Sequence, residues 1–224
     1  MELLTQFVDL VLHLDRHLLE FLNNYGLWMY ALLFAIIFAE TGFVVTPFLP
    51  GDSLLFAAGA LAAGSGLDIY WLIPLLITAS FCGDNTNYWI GYHVGPKVFR
   101  RRHSRLLNLE YLERAHAYYE RHGGKTVLLA RFLPILRTFA PFVAGIGRMP
   151  YARFLAFSFT GSVLWIGLFT LAGFYFGHLT VVRQNLTLVM LGIIVVSMLP
   201  GLIVWLKNRG KTKDREKRKE KRYK

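Results

Sequence analysis

Long apolar stretches separate the charged residues of this chain. Residues 154–182 and residues 184–206 contain no Asp, Glu, Lys or Arg. Each stretch is longer than the ~20 residues with which a helix crosses the hydrocarbon of a bilayer. Residues 21–67 carry only two acidic side chains, and residues 69–96 carry one. The pattern predicts an all-α integral membrane protein, with residues 25–206 as its transmembrane domain.

Residues 1–24 have a different pattern, with apolar side chains on one helical face and charges on the other. The apolar positions recur at helical spacing from Phe7 to Phe21, and Asp9 and Asp15 lie between them. Such a helix lies in the plane of the membrane interface. A short first transmembrane span is the alternative, which the charges disfavour. We expect this N-terminal amphipathic interfacial helix on the cytoplasmic surface.

Composition and charge indicate how the chain is oriented. Hydrophobic residues make up 54% of the 224, more than one soluble core of this size would bury. The net charge of +11 is concentrated, since residues 97–125 hold eight Lys or Arg and residues 207–224 hold eleven. Basic residues next to membrane segments stay in the cytoplasm. We therefore expect a basic cytoplasmic tail at 207–224 that contacts anionic lipid headgroups and not nucleic acid.

Residues 126–147 are apolar but poorly suited to a continuous helix in lipid. They contain Arg131 and Arg137 together with two prolines. Proline interrupts helical hydrogen bonding, and arginine is costly inside a bilayer. With both basic clusters in the cytoplasm, only an even number of crossings fits between them. We expect residues 126–147 to be re-entrant, entering and leaving from the cytoplasmic side.

Residues 47–66 have the same composition, with prolines, a glycine and Asp52 at their start. We expect this segment to be re-entrant from the outside, between two crossings at residues 27–46 and 70–95. The predicted hinges of the two re-entrant segments are Pro47, Pro50, Gly51, Pro134, Pro141 and Gly145.

The two halves of the chain contain similar segments in the same order. Each re-entrant segment is followed by a glycine pair, Gly91-Tyr-His-Val-Gly95 in the first half and Gly173-Phe-Tyr-Phe-Gly177 in the second. Because the segments are expected to enter from opposite sides, the halves would be an inverted repeat of a broken helix plus a transmembrane helix. Secondary transporters are built in this way, and they bind substrate where the broken helices meet.

Four charged residues are the first candidates for such a site. Arg131 and Arg137 need partners in an apolar environment, and guanidinium groups suit phosphate, which they bind through paired hydrogen bonds. Glu40 and Asp52 are candidates for proton coupling or gating, because apolar surroundings disfavour the charged form of a carboxylate. A purely structural set of ion pairs between these acids and arginines is the alternative.

Three residues of the following span are candidates of second rank: Asp84, Asn85 and Asn87. Polar residues in such spans often only hydrogen-bond neighbouring helices. Counting Asp84, three acids against two arginines leave one surplus negative charge, to which a phosphate would add. Protonation of one or two carboxylates would neutralise the loaded site.

Other chemistry lacks a supporting pattern. The seven histidines show no metal-ligand spacing, and no nucleotide-binding or nucleophile-elbow motif is present. We expect no metal, no cofactor and no enzymatic activity in this chain.

Six motifs stand out along the chain: Glu40-Thr-Gly, Phe48-Leu-Pro-Gly-Asp-Ser53, His122-Gly-Gly-Lys-Thr126, Ala130-Arg-Phe-Leu-Pro134, Arg137-Thr-Phe-Ala-Pro-Phe-Val-Ala-Gly145 and the second glycine pair. Together they resemble the motifs of the bacterial DedA family. The resemblance covers roughly residues 5–206 and implies a multi-pass protein of the bacterial inner membrane with two re-entrant segments, related to eukaryotic VTT-domain lipid scramblases. By motif, it places the family's required acids at Glu40 and Asp52 and its required arginines at Arg131 and Arg137.

The resemblance also implies a function. Family members are implicated in moving undecaprenyl phosphate or a phospholipid between leaflets, with involvement of the proton motive force. We therefore expect a flippase or scramblase whose partners are a phosphate-bearing lipid and protons, with a second copy of the chain as a further candidate. A cation/proton antiporter would leave the arginines without a task. A membrane-embedded lipid-phosphate enzyme would need a nucleophile or a histidine near them, which residues 130–147 lack.

Overall fold

A computed structural model describes residues 14–43, 51–64, 67–99, 124–131 and 133–179, together with positions 182, 188, 189, 192, 193 and 196. Over these residues the chain is helical and contains no strand, so the predicted all-α class is confirmed. In chain order the helices are α1 (Leu14–Tyr25), α2 (Trp28–Gly42), α3 (Gly51–Ala62), α4 (Ile69–Phe99), α5 (Lys125–Ala130), α6 (Pro134–Ile146) and α7 (Tyr151–Phe176).

Two long helices, α4 and α7, form the centre of the fold. The 31 residues of α4 and the 26 of α7 extend about 46 Å and about 39 Å at 1.5 Å per residue. By length and composition, α7 is the one helix of the described ranges that qualifies as a membrane span. The hydroxyl of Ser80 meets that of Ser162. Further along α4, Tyr88 stacks on Phe154, so the two helices run in opposite directions.

The N-terminal pattern forms helix α1 over the part of residues 1–24 that the structure describes. Leu18 and Leu22 are buried in the main apolar cluster, which also contains Leu67, whereas Glu20 is exposed. Gly26 follows the helix with a φ of +51°, a conformation that glycine adopts without steric cost, and the chain turns directly into α2. Helix α1 thus lies at the end of the fold where α4 begins.

Helix α2 runs parallel to α4. Near its start, the Tyr30 hydroxyl accepts a 2.7 Å hydrogen bond from the backbone N–H of Asp68, just before α4 begins. At its end, Gly42 packs on the middle of α4, where an added Cβ would lie 3.4 Å from the Cα of Gly83. The two starts therefore lie at one end of the molecule.

This direction corrects the predicted topology. Residues 27–46 and 70–95 are not two crossings in opposite directions, because α2 and α4 run the same way. Helix α2 is also short, since its 15 residues extend about 22 Å, less than the ~30 Å of the hydrocarbon. Helix α1 lies where α4 begins, whereas the first residues of the basic cluster, 97–99, lie at the other end of α4. If α4 crosses the membrane, α1 and these residues lie on opposite sides and not both in the cytoplasm as the sequence suggested.

The short helices form two hairpins, α2 with α3 and α5 with α6. The turn of the first hairpin, with the predicted hinges Pro47 and Pro50, lies outside the described residues. The second hairpin turns just after Ala130, and α6 begins with Pro134, where the missing N–H of proline costs no helical hydrogen bond. The predicted span at 184–206, apart from isolated positions, and the tail at 207–224 also lie outside the described residues.

Helix α3 of the first hairpin packs on α7 through two glycines. A Cβ added at Gly59 would collide with the carbonyl of Thr170, and one added at Gly173 would collide with the carbonyl of Phe56. Glycine therefore lets the two backbones approach more closely than any other residue would.

Helix α6 of the second hairpin packs on α4 in the same manner. A Cβ added at Gly145 would collide with the carbonyl of Tyr88, and one added at Gly91 would collide with the carbonyl of Phe142. Each hairpin thus lays one helix on α4 and the other on α7.

Candidate functional site

Arg137, in the first half of α6, binds two carboxylates of the first hairpin. Its Nη1 donates a 2.7 Å hydrogen bond to Oδ1 of Asp52, and its Nη2 donates to Oε1 of Glu40 in a close ion pair. Glu40 is fully buried near the end of α2, whereas the side chain of Asp52, in the first turn of α3, is 12% exposed. One guanidinium therefore joins both helices of the first hairpin to the second hairpin.

Gly51 brings the start of α3 against Glu40. A Cβ added at Gly51 would overlap the carboxylate oxygens of Glu40. The first N–H groups of a helix are unpaired and carry partial positive charge, so this approach stabilises the carboxylate. Gly51, predicted as a hinge, therefore also provides room for one of the charged groups.

Arg131, in the turn before α6, binds a separate set of groups. Its Nη1 donates to Oδ2 of Asp84 at 2.7 Å and to the carbonyl of Ser158 at 3.1 Å, and its Nη2 donates to the hydroxyl of Ser80. The Ser158 hydroxyl also donates to Asp84, at 2.6 Å. The side chains of Arg131 and Asp84 are 3% and 1% exposed. The sequence had offered Glu40 and Asp52 as partners of Arg131, but the observed partner is Asp84.

Trp165 of α7 contacts both groups of ion pairs. The guanidinium carbon of Arg137 lies 4.3 Å from the centroid of its ring and that of Arg131 lies 5.7 Å away, within the range of cation–π attraction. The indole N–H donates a 2.8 Å hydrogen bond to Oδ1 of Asp52. One fully buried aromatic side chain thus fixes both arginines and one acid.

The two candidate asparagines differ in position. Asn87 is buried, and its amide donates to the carbonyls of Thr41 at 3.1 Å and Thr138 at 2.7 Å. These carbonyls belong to the residues that follow the ion-paired side chains of α2 and α6, so Asn87 positions both. Asn85 instead accepts a 2.8 Å hydrogen bond from the Tyr151 hydroxyl, outside the ion pairs.

The remaining predicted hinges lie in α6. The helix continues from Pro134 to Ile146 through Pro141, so Pro141 does not break it. Gly145 is part of the close packing of α6 on α4. The helices of this half end at Ala130 and begin again at Pro134.

Several buried polar atoms of the site have no hydrogen-bond partner among the described residues. They are Oε2 of Glu40, Oδ1 of Asn87 and Nε of both arginines. Buried polar groups are costly to leave unpaired, and this set comprises two oxygen acceptors and two N–H donors. Within the described ranges, no three His, Cys, Asp or Glu side chains form a group that could hold a metal ion.

Most of the chain is similar to known proteins. Residues 49–175 match the VTT domain family. The chain is 52% identical over 205 residues to Protein DedA of Escherichia coli strain K12, which covers 91% of this chain and 94% of that protein. The chain belongs to the DedA family. The resemblance seen in the sequence motifs is therefore confirmed.

Other DedA-family relatives carry names that refer to membranes. "Uncharacterized membrane protein ML0287" of Mycobacterium leprae is 45% identical over 168 residues, 75% of each chain. "Inner membrane protein YqjA" of Escherichia coli strain K12 is 33% identical over 177 residues, 79% of this chain and 80% of that protein. The predicted membrane location is confirmed by these relatives. No solved structure matches the chain.

Three residues of this DedA-family site escaped the sequence analysis, namely Ser80, Ser158 and Trp165. Ser80 lies one helical turn before Asp84, so helical spacing could have placed both on the same face of α4. Ser158 and Trp165 lie in an uncharged stretch that resembles any lipid-facing helix. No local signal distinguishes them from its other residues.

Proposed function

We propose that this chain moves a phosphate-bearing lipid, such as undecaprenyl phosphate or a phospholipid, between the leaflets of the bacterial inner membrane. The proposal rests on Arg137, a buried guanidinium held by two carboxylates where the ends of two hairpins meet. A guanidinium exchanges carboxylate for phosphate through the same fork of hydrogen bonds. The lipid leaves chemically unchanged, so the chain acts as a flippase or scramblase and not as an enzyme.

The proposed topology is an inverted repeat with two re-entrant hairpins. The first, α2 with α3, enters from the outside, and the second, α5 with α6, enters from the cytoplasm. The spacing of contacts supports an axis between the halves. Ser80 and Ser162 contact each other and are 82 positions apart in the sequence. Gly91 of α4 and Gly173 of α7 are separated by the same interval, and each packs on the backbone of a hairpin helix. Contact between equivalent residues is expected where such an axis passes.

This topology places the two hairpin ends near the middle of the bilayer. Helix α4 would cross from the outside to the cytoplasm, and α7 would cross back. A further crossing at residues 184–206 would return the basic tail to the cytoplasm, where it contacts anionic headgroups. The first re-entrant unit is then longer than the predicted segment 47–66, because it also includes α2. The second corresponds to the predicted segment 126–147.

Protons enter the proposal through an imbalance of charge. Glu40 and Asp52 share Arg137, so this group carries one surplus negative charge, whereas Arg131 and Asp84 balance each other. A phosphomonoester brings about −1.5 to −2 more near neutral pH. Uptake of protons by Glu40 and Asp52 would therefore accompany binding of the lipid, and their release would accompany its departure.

Reconstitution into proteoliposomes tests this function. Three cargoes are followed in parallel: labelled undecaprenyl phosphate, labelled phosphatidylethanolamine and monovalent cations detected by an enclosed dye. We expect movement of a phosphate-bearing lipid that is faster than in protein-free vesicles and that responds to an imposed proton gradient. Cation flux without lipid movement would support an antiporter instead, and release of inorganic phosphate would support an enzyme.

A further inference from the structure

The two buried arginines have different tasks. We propose that Arg131 does not bind the phosphate and is a positioning residue, anchored by Asp84, that holds the second hairpin on the long helices. Arg137 alone then exchanges its carboxylates for the phosphate. The inference deepens the lipid-transport proposal and rests on it for the identity of the ligand.

The first argument is the location of each arginine's partners. Arg131 binds Ser80 and Asp84 of α4 and the carbonyl of Ser158 on α7. All of these groups belong to the two long helices at the centre of the fold. Arg137 binds acids of the other hairpin instead. Opening the Arg137 contacts would remove the ion pairs between the two hairpins, whereas opening the Arg131 contacts would remove an attachment of the second hairpin to the long helices.

The second argument is the balance of charge. Arg131 and Asp84 form a one-to-one pair, and Oδ2 of Asp84 accepts from Arg131 and from Ser158 at once. An anion that bound Arg131 would leave Asp84 buried without its counter-charge, which is strongly unfavourable. At Arg137, by contrast, one of two acids can take up a proton while the other remains paired.

The third argument is access. Asp52 beside Arg137 is partly exposed, whereas Asp84 beside Arg131 is almost fully buried. Arg131 is also confined along its stem, since a Cβ added at Gly161 would lie 3.1 Å from its Cδ. Each arginine has one unpartnered Nε among the described residues, so free donors do not distinguish them. The number of counter-charges and the exposure of the partner acid do.

Neutral double variants test this division. Arg131→Gln with Asp84→Asn removes the proposed anchor pair, and Arg137→Gln with Glu40→Gln removes a pair at the proposed ligand site. Each double variant removes one positive and one negative charge, so the net charge is that of the unchanged protein. The measurements are the melting temperature in detergent and binding of short-chain phosphatidic acid, for both double variants and for Arg131→Gln and Asp84→Asn alone.

We expect each single change at the anchor to lower the melting temperature on the order of 10 °C, because it leaves a buried charge unmatched. The double change should recover most of that loss, since neutral side chains still hydrogen-bond the serines. It should bind phosphatidic acid within about threefold of the unchanged protein, a difference of about 0.65 kcal/mol. Arg137→Gln with Glu40→Gln should bind at least tenfold more weakly.

A folded Arg131→Gln with Asp84→Asn protein that has lost phosphatidic acid binding would overturn the inference. The inference would also be overturned if the decreases in melting temperature of the two single variants simply summed in the double variant. If the double variant does not fold, Arg131→Lys is the deciding variant, because an ammonium can pair with Asp84 but lacks the forked donors of a guanidinium. Retained binding of phosphatidic acid would support the anchor, and a tenfold loss of that binding would refute it. If the unchanged protein binds no phosphatidic acid, the phosphate-lipid proposal fails, and the anchor is judged on the melting temperatures alone.

Discussion

Arg137 donates a 2.7 Å hydrogen bond to Asp52, a residue 85 positions earlier in the sequence. The bond joins helix α6 of the second hairpin to helix α3 of the first. Because Arg137 also binds Glu40 of α2, one guanidinium and two carboxylates form the ion pairs between the two hairpins. The two central helices contact each other elsewhere, through Ser80 with Ser162 and Tyr88 with Phe154.

Replacement of Arg137 by lysine tests the need for a forked cation. Arg137 uses two nitrogens for two different carboxylates, which one ammonium cannot imitate. We expect Arg137→Lys to reach the membrane in normal amounts and to lower the rate of lipid movement at least about tenfold, since a hydrogen bond to a charged group is worth ~1.5 to 3 kcal/mol. Arg148→Lys is the matched control, because Arg148 is exposed, lies over the Tyr92 ring at 5.6 Å from its centroid and takes part in no ion pair among the described residues. Equal rates for both variants would argue against guanidinium recognition.

Amide replacements at Glu40 and Asp52 separate coupling from structure. Glu40→Gln or Asp52→Asn alone leaves Arg137 one carboxylate, so we expect each protein to stay folded but to lose the response of transport to a proton gradient. The combined variant leaves Arg137 buried without a counter-charge and should be destabilised by about 3 to 5 kcal/mol. Melting temperature in detergent and transport with and without a gradient, measured on all three variants, check both expectations. Single variants that already unfold would leave the acids only a structural role.

The sequence predicted the class of the fold and several residues of the site, for physical reasons that are local. Apolar length alone indicated α7, and the cost of a charge in lipid singled out Glu40, Asp52, Arg131 and Arg137. The direction of α2 could not be predicted, because the length of an apolar stretch does not reveal that its helix ends at Gly42. Nor could the pairing of Arg131 with Asp84, since Arg131 lies in a turn between two helices and its approach to Asp84 of α4 is set by how those helices pack.

Close packing of α3 on α7 gives a prediction about stability. A Cβ at Gly173 would collide with the backbone carbonyl of Phe56, whereas one at Gly167 of the same helix meets no atom within 4 Å. We expect Gly173→Ala to lower the free energy of unfolding by about 1 to 3 kcal/mol. Gly167→Ala should be neutral or stabilising by up to ~1 kcal/mol through helix propensity. Similar melting temperatures for the two variants would contradict the observed helix contact.

The parallel course of α2 and α4 predicts which residues share one side of the membrane. Single cysteines replace Tyr25, Tyr70 and Arg148 in turn, in a Cys82→Ser background because Cys82 is itself exposed. An impermeant thiol reagent added outside should label Tyr25→Cys, at the end of α1 just before α2, and Tyr70→Cys, at the start of α4. It should label Arg148→Cys, between α6 and α7, only after permeabilisation. The first hairpin requires Tyr25→Cys and Tyr70→Cys on the same side of the membrane. Labelling of these two positions from opposite sides would refute it.

The central claim is that a phosphate group on a lipid is recognised by Arg137. The most direct measurement compares, in the same proteoliposomes, leaflet exchange of two labelled lipids with identical chains, phosphatidic acid and diacylglycerol-linked galactose, the second of which has no phosphate. For the unchanged protein we predict faster exchange of phosphatidic acid than of the neutral lipid, each corrected for protein-free vesicles, and loss of that preference in Arg137→Gln with Glu40→Gln. Equal exchange of both lipids, or a preference that survives in this double variant, would contradict the account.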